Sequence, residues 1–364
     1  MKELELYLHI PFCMQKCRYC DFPSGWAAAD VRAKYVDHLC QEMQEWEEKT
    51  RDREVTSVFV GGGTPSILTV EEIKKIFYYV YKCFNISKKA EITIEMNPGT
   101  VKRDKLAAYK EVGINRLSIG CQSLNDQELK NLGRIHTEAE FYQTYEMARE
   151  EGFENISMDL MSAIPGQTLA SWEKTLRKAA ELEPEHISAY SLIIEEGTPF
   201  YERYGEGNHS EELPTEEEER LMYERTEEIL EEYGYHRYEI SNYAKEGKEC
   251  RHNLGYWERT EYLGLGYHAA SLMDHKRWVD GEEAEVLTIQ DEMEEFMFLG
   301  LRKMKGVSRD NFYRMFGKDM DAVYKTVIEE QKKNGLLKEE NGRIFLSRKG
   351  IDLSNYVMSE FLID

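Results

Sequence analysis

Cys13, Cys17 and Cys20 stand at Cys-x3-Cys-x2-Cys spacing within His9-Ile-Pro-Phe-Cys13-Met-Gln-Lys-Cys17-Arg-Tyr-Cys20-Asp-Phe22, directly after the short apolar run Leu4–His9. They are three of only seven cysteines in 364 residues, and chance sets two more at fixed offsets roughly once in a few hundred placements. Thiolates are soft ligands that suit zinc or iron–sulfur clusters, and both usually want four. Cys40 lies about 20 residues further on, inside a predicted helix. Three thiolates on a four-iron cluster leave one iron open to a substrate. The competing arrangement is zinc, with His9 completing a tetrahedron, and it requires a strand residue to point into the loop.

A second chemical signal is Gly61-Gly62-Gly63-Thr64-Pro65. Residues without Cβ let backbone approach a ligand closely, or they make a tight strand-to-helix turn. The run lacks the lysine of a phosphate-binding loop and does not match Gly-x-Gly-x-x-Gly. A small zwitterion or an adenosine suits it better than a dinucleotide.

The elements that must hold these residues alternate. Predicted strands are Leu4–His9, Val55–Val60, Glu91–Glu95, Arg116–Ile119, Ile156–Leu160 and Ile187–Leu192. Helical patterns lie between them. Thr69 with Glu72 and Thr137 with Glu140 have capping-box spacing, and Gly113 and Gly152 stand where a left-handed residue ends a helix. Strand–helix units repeated in this way predict an α/β fold, a partial or complete parallel β/α barrel with right-handed crossovers. Chemistry in such folds gathers at the C-terminal strand ends. The cysteine loop, the glycine run, Glu95-Met96-Asn97, Gln122-Ser123, Asp159 and Tyr190-Ser191 all fall there.

Downstream, Tyr204–Pro214 reads as loop, Glu216–Glu232 as a charged helix and Arg237–Ile240 as a further strand. Lys248–Gly266 is rich in Gly, Tyr and Trp and predicts an irregular segment. Helices at Asp291–Met304, Arg309–Phe316 and Met320–Asn334, followed by a hairpin, predict a small winged-helix-like unit. The domain reading is a barrel core at 1–200, a connecting region at 201–287 and the C-terminal domain at 288–364.

A formal charge of −22 argues against nucleic acid as a partner. No apolar run approaches the ~20 residues needed to span a bilayer. The first residues carry no basic and apolar leader, so a cytoplasmic location is expected, with cysteines reduced. Cys40, Cys83 and Cys121 then read as small buried hydrophobes.

The cysteine spacing, the Gly-Gly-Gly-Thr-Pro loop and the β/α period together resemble radical S-adenosylmethionine (SAM) proteins. Tyr7-Leu-His9-Ile-Pro-Phe-Cys13 and Gly61–Pro65 resemble, within them, the oxygen-independent coproporphyrinogen III oxidase group. This resemblance covers nearly the whole chain. It implies a [4Fe-4S] cluster on Cys13, Cys17 and Cys20, with the amino and carboxylate groups of SAM on the open iron. It further implies that Tyr7, Tyr19, Gly62, Gly63, Thr64, Glu95, Gln122, Arg134 and Asp159 line the SAM site. The chemistry is compatible: a carboxylate wants a guanidinium, and ribose hydroxyls want acceptors.

Cys250-Arg-His252-Asn253-Leu-Gly-Tyr256-Trp257 resembles the heme-binding motif of HemW-type heme chaperones. Imidazole is a good axial ligand for heme iron, Tyr256 and Trp257 offer flat faces, and Cys250 is an alternative or second ligand. The same side chains have a plainer use, pinning a loop onto the barrel. The oxidases carry a further cysteine where Phe22 stands, and a longer segment before the first strand. Both departures favour a heme chaperone serving acceptor hemoproteins over radical SAM oxidative decarboxylation of coproporphyrinogen. An electron donor and a cluster-dependent homodimer belong to the same expectation.

Overall fold

The computed structural model describes residues 1–363. Its main sheet has β1 (Lys2–Ile10), β2 (Arg53–Gly62), β3 (Ile86–Met96), β4 (Arg116–Gln122), β5 (Ile156–Ser162) and β6 (His186–Ser191) side by side and parallel. All the predicted barrel strands are therefore present, five of them within three residues at each end, whereas β3 starts five residues before the predicted Glu91. Both capping boxes form, and Gly113 and Gly152 have φ of 89° and 81°.

Period-two alternation sorts these strands into two faces. Leu4, Leu6, Leu8 and Ile10 of β1 are fully buried in one apolar cluster with Val36, Leu39 and Met43 of the Ala29–Trp46 helix. The intervening Glu5, Tyr7 and His9 face the other way, into the barrel. The same rhythm gives Ser57 and Phe59 on β2, Glu91 and Glu95 on β3, Arg116 and Ser118 on β4, and Ser157 and Asp159 on β5. The barrel interior is thus polar, and the apolar core lies between sheet and helices.

The remaining strands extend both edges. β7 (His236–Arg237) and β8 (Asn242–Ala244) add antiparallel to β6. β9 (Tyr262–Leu265) adds parallel to β1, followed by β10 (Ala270–Met273), β11 (Lys276–Val279) and β12 (Glu285–Val286). Sheet order is β12-β11-β10-β9-β1-β2-β3-β4-β5-β6-β8-β7, an open barrel. Residues 201–287 therefore supply strands to both edges of one sheet. After Thr288, helices Ile289–Gly300, Arg309–Phe316 and Met320–Lys333 pack with β13 (Val307–Ser308), β14 (Leu337–Glu340) and β15 (Arg343–Leu346) around a separate core of Met297, Phe312, Tyr324 and Phe361. No helix among the described residues is long and apolar enough to cross a membrane.

Three expectations need correction. Lys248–Gly266 is not irregular: it holds the helix Arg251–Glu258 and strand β9. The strand expected at Arg237–Ile240 shrinks to His236–Arg237, because the chain turns there and pairs again at β8. Tyr204–Pro214, read as loop, contains two short 3-10 turns. Cys40, Cys83 and Cys121 are buried at 2%, 5% and 0% exposure, and all the cysteines are free thiols.

Candidate functional site

At the C-terminal mouth of the barrel, one pocket of about 160 Å³ is lined by Cys13, Cys17, Cys20, Tyr19, Gly62, Gly63, Thr64, Glu95, Gln122, Arg134 and Asp159. Five strand ends with the loops after them, and the segment following the Asp126–Leu132 helix, supply these residues. Tyr7 stands behind the lining, its hydroxyl 3.1 Å from His9 Nδ1 and its ring against Gly61.

The cysteine loop is clamped by the glycine run. Gly63 N–H donates to the Ile10 carbonyl at 2.8 Å and Thr64 N–H to the Phe12 carbonyl at 2.7 Å. A Cβ on Gly63 would lie 2.6 Å from the Phe12 oxygen and 3.0 Å from Cys13 Sγ, so no larger residue fits. Cys13 Sγ lies 3.3 Å from Thr64 Oγ1, while Cys17 Sγ faces the Arg134 guanidinium at 3.5 Å. Among the described residues, the three sulfurs do not come within 4.8 Å of one another as a set, the proximity a single ion demands. His9 Nδ1 meets the Tyr7 hydroxyl at 3.1 Å. The donor set, spread sulfurs beside a fixed cation, fits a cluster of several irons better than one zinc.

Arg134 is held by acceptors on two other strands. Its Nη2 donates to Asn97 Oδ1 at 2.5 Å and to the Gly120 carbonyl at 2.7 Å, and Asn97 Nδ2 donates onward to Thr64 Oγ1 at 2.8 Å. Gly120 is required here, since a Cβ would meet Asn97 Oδ1 at 2.9 Å. Asp159 accepts from Ser118 Oγ at 3.1 Å, and Gln122 Oε1 accepts from the Tyr190 hydroxyl at 2.8 Å. Ser118 was missed as a lining residue, and Asn97 as the bridge between Arg134 and Thr64. Reading β3 and β4 in steps of two, Glu95 to Asn97 and Arg116 to Ser118 to Gly120, is the signal that finds them.

Burial, aided by the nearby Asp159, pushes the Glu95 carboxyl up to about 8, against the opposing Gly62 N–H. Glu5, lower in the barrel, is pushed up to about 9, chiefly by burial. In the folded state both hold protons that the unfolded chain gives up near its ordinary carboxylate range. Stability should therefore fall as pH rises from about 5 to 8, by about 2–4 kcal/mol per group. Urea unfolding of Glu5→Gln should show a markedly flatter pH slope than the parent; an unchanged slope would rule Glu5 out as a source.

His252 lies elsewhere. The Arg251–Glu258 helix closes the opposite, N-terminal end of the barrel, and the His252 side chain points inward with 2% exposure. Its Nδ1 is 2.7 Å from Ser57 Oγ and its ring stacks on Phe59 at 5.0 Å. Tyr256 meets the imidazole edge-on at 5.0 Å, and Trp257 turns away to lie under Arg302 at 4.4 Å. The Glu91 carboxylate accepts from the Arg251 and His252 N–H groups, both at 3.2 Å. Gly255 is needed because any Cβ would run into the Glu5 carboxylate. Burial, with Arg116 nearby, lowers the imidazole to about 3, and its Nε2 has no hydrogen-bond partner. Cys250 is fully buried beside Glu91 and its thiol is pushed up to about 12, far from the thiolate a ligand requires.

Comparison with known proteins agrees with this geometry. Residues 7–179 match the Radical SAM superfamily and residues 287–353 the HemN C-terminal domain. The chain is similar to heme chaperone HemW of Bacillus subtilis, 37% identical with 98% of each chain covered. It is likewise similar to heme chaperone HemW of Escherichia coli, 40% identical over 72% of this chain and 68% of that one. The fold matches coproporphyrinogen III oxidase HemN of Escherichia coli with a TM-score of 0.86, over 99% of this chain and 90% of the other, at 23% identity. With full-length identity to one group and a shared fold with the other, the chain belongs to the HemW heme chaperone family of the radical SAM superfamily.

Proposed function

We propose that this protein is a heme chaperone that binds heme through His252 and passes it to acceptor hemoproteins, with a SAM-bound [4Fe-4S] cluster at the other end of the barrel. The observation that carries the heme assignment is the state of His252: a neutral imidazole, oriented through Nδ1, whose Nε2 is left without a partner. A buried polar atom without a partner costs about 1–3 kcal/mol, and coordination to iron removes that cost. Heme contact requires the Arg251–Glu258 helix to turn outward. That opening raises the apparent Kd by the reciprocal of the open fraction, which suits a protein that must release its cargo.

Cys13, Cys17 and Cys20 would hold the cluster, which when bound supplies an open iron for SAM and electrons for reductive chemistry. Arg134 would take the methionyl carboxylate, Glu95 and Asp159 the cationic groups and a ribose hydroxyl, Gln122 a further hydroxyl, and Tyr19 the adenine. A cation seated between Glu95 and Asp159 draws both toward the ionised form. Gly62, Gly63 and Thr64 border the cluster, and Tyr7 buttresses them from behind. An electron donor and a cluster-dependent homodimer belong to the same reading. In its support, Met14, Phe22 and Trp26 beside the cysteines are 55%, 56% and 71% exposed.

Anaerobically reconstituted protein, titrated with heme and followed by visible absorbance, should bind it, and His252→Ala should bind at least about tenfold more weakly, equivalent to about 1.4 kcal/mol. Incubation with coproporphyrinogen, SAM and a reductant should yield no protoporphyrinogen. Steady turnover there, or full heme affinity in the His252 variant, would overturn the assignment.

A further inference from the structure

We infer that a basic cleft on the N-terminal face of the barrel binds the two propionate carboxylates of heme, so that heme docks on the side away from the cluster. This rests on the heme reading above. The cleft, of about 840 Å³, lies where β3 and β5 begin and the segment leading into the Arg251–Glu258 helix crosses them. Its volume falls within the roughly 300–1,000 Å³ usual for cofactor sites.

Lys88, Lys89, Lys110, Lys248 and Arg251 all line it, in a chain whose formal charge is −22. Three carboxylates share the lining, but two of them are occupied. Glu91 accepts the backbone N–H groups of Arg251 and His252, and Glu249 is paired with His236 Nε2 at 2.8 Å. Arg251 Nε also lies 4.0 Å from Glu91, so five cations face three carboxylates and the lining keeps a net positive balance. Two of the lysines are already held in place by neutral acceptors: Lys110 Nζ donates to the Gly152 carbonyl at 2.9 Å, and Lys248 Nζ to the Glu154 carbonyl at 3.2 Å. On a chain of net negative charge, such a local excess of cations attracts a dianion. At the barrel mouth, by contrast, the Arg134 guanidinium is already assigned to the methionyl carboxylate of SAM.

The cleft adjoins the heme segment directly. Arg251 and Leu254 line it and bracket His252, and Glu91 on its floor bonds the His252 backbone. A macrocycle anchored there by its propionates has its iron beside the helix that must turn out to present Nε2.

The test is a heme titration of the reconstituted wild type, of the charge-reversed variant Lys88→Glu/Lys89→Glu/Lys248→Glu and of a milder triple Gln variant, repeated with heme dimethyl ester. The wild type should prefer the free acid. The reversed variant should bind heme at least about tenfold more weakly, the Gln variant less so, and both should lose the preference for acid over ester. Cluster content and the spectral response to SAM should stay unchanged. Wild-type heme affinity in both variants, or equal binding of acid and ester by the wild type, would overturn the cleft. If His252→Ala still abolished binding in that case, the chaperone reading would stand without it. A wild type that binds no heme at all would sink both.

Discussion

Replacing Cys17 with serine should remove essentially all cluster iron from the anaerobically purified protein, along with its brown colour and any spectral response to SAM. Cys17 is the informative position because its sulfur is tied only loosely into the fold. It is half-buried and faces Arg134 at 3.5 Å, whereas Cys13 is buried against Thr64 and the glycine run. A serine hydroxyl stays protonated near neutral pH and is a hard donor, so it does not replace a thiolate on iron. Thermal unfolding of the cluster-free variant should match that of the cluster-free parent, which separates lost ligation from lost folding. A brown Cys17→Ser protein with full iron content would mean that the three cysteines do not form the metal centre.

The second large effect is expected at Arg134. In the proposed SAM site its guanidinium meets the methionyl carboxylate while it holds Asn97, Gly120 and Cys17 together. Arg134→Ala should raise the Kd for SAM about 100-fold, equivalent to about 2.7 kcal/mol, the order expected when one side of a buried charged contact is deleted. Lysine should restore only part of this, because a point charge on a flexible stem cannot span three acceptors set for a planar fork. Heme affinity of Arg134→Ala should be unchanged, since His252 lies at the opposite end of the barrel. Equal SAM affinity in variant and parent, measured by calorimetry under anaerobic conditions, would remove Arg134 from the site.

The separation of the two ends deserves a physical reading, because one polar barrel interior connects them. From the N-terminal end upward run Glu5, Ser57 and Glu91 at one level, then Arg116, then Glu95 level with Ser118, then Asp159. A second cavity, of about 480 Å³, runs from Tyr19, Cys20 and Phe22 at the mouth to Phe59, Arg116 and Asn253 deeper in the barrel. Phe59 stacks on His252 on one side and on Tyr7 at 6.3 Å on the other. Phe59 thus lies between His252 and Tyr7 within one packed body.

Much of this was legible in the linear chain because it depends on residues close together. The three cysteines share one loop, each capping box spans three residues, and β1 declares its two faces through Leu4, Leu6 and Leu8 against Glu5, Tyr7 and His9. Such features rest on local geometry and on the two-residue period of a strand. Charge helped as well, since the helix Glu216–Glu232 begins with a Thr215–Glu218 capping box and was predicted residue for residue.

Other features were decided only when distant segments met. The Arg251–Glu258 helix contains Gly255, Tyr256 and Trp257, poor helix formers read alone, and it exists because Glu91, some 160 positions earlier, receives its first N–H groups and Glu5 needs the space that Gly255 leaves. The burial of His252, the Asn97–Arg134–Cys17 cradle and the meeting of Lys88 and Lys89 with Lys248 and Arg251 are likewise long-range. Cysteine spacing alone determined that three thiols share one loop at a strand end. Which side chains surround it, and that His252 faces inward at the other end, were settled by packing, because burial and charge pairing act across space and leave no period in the chain.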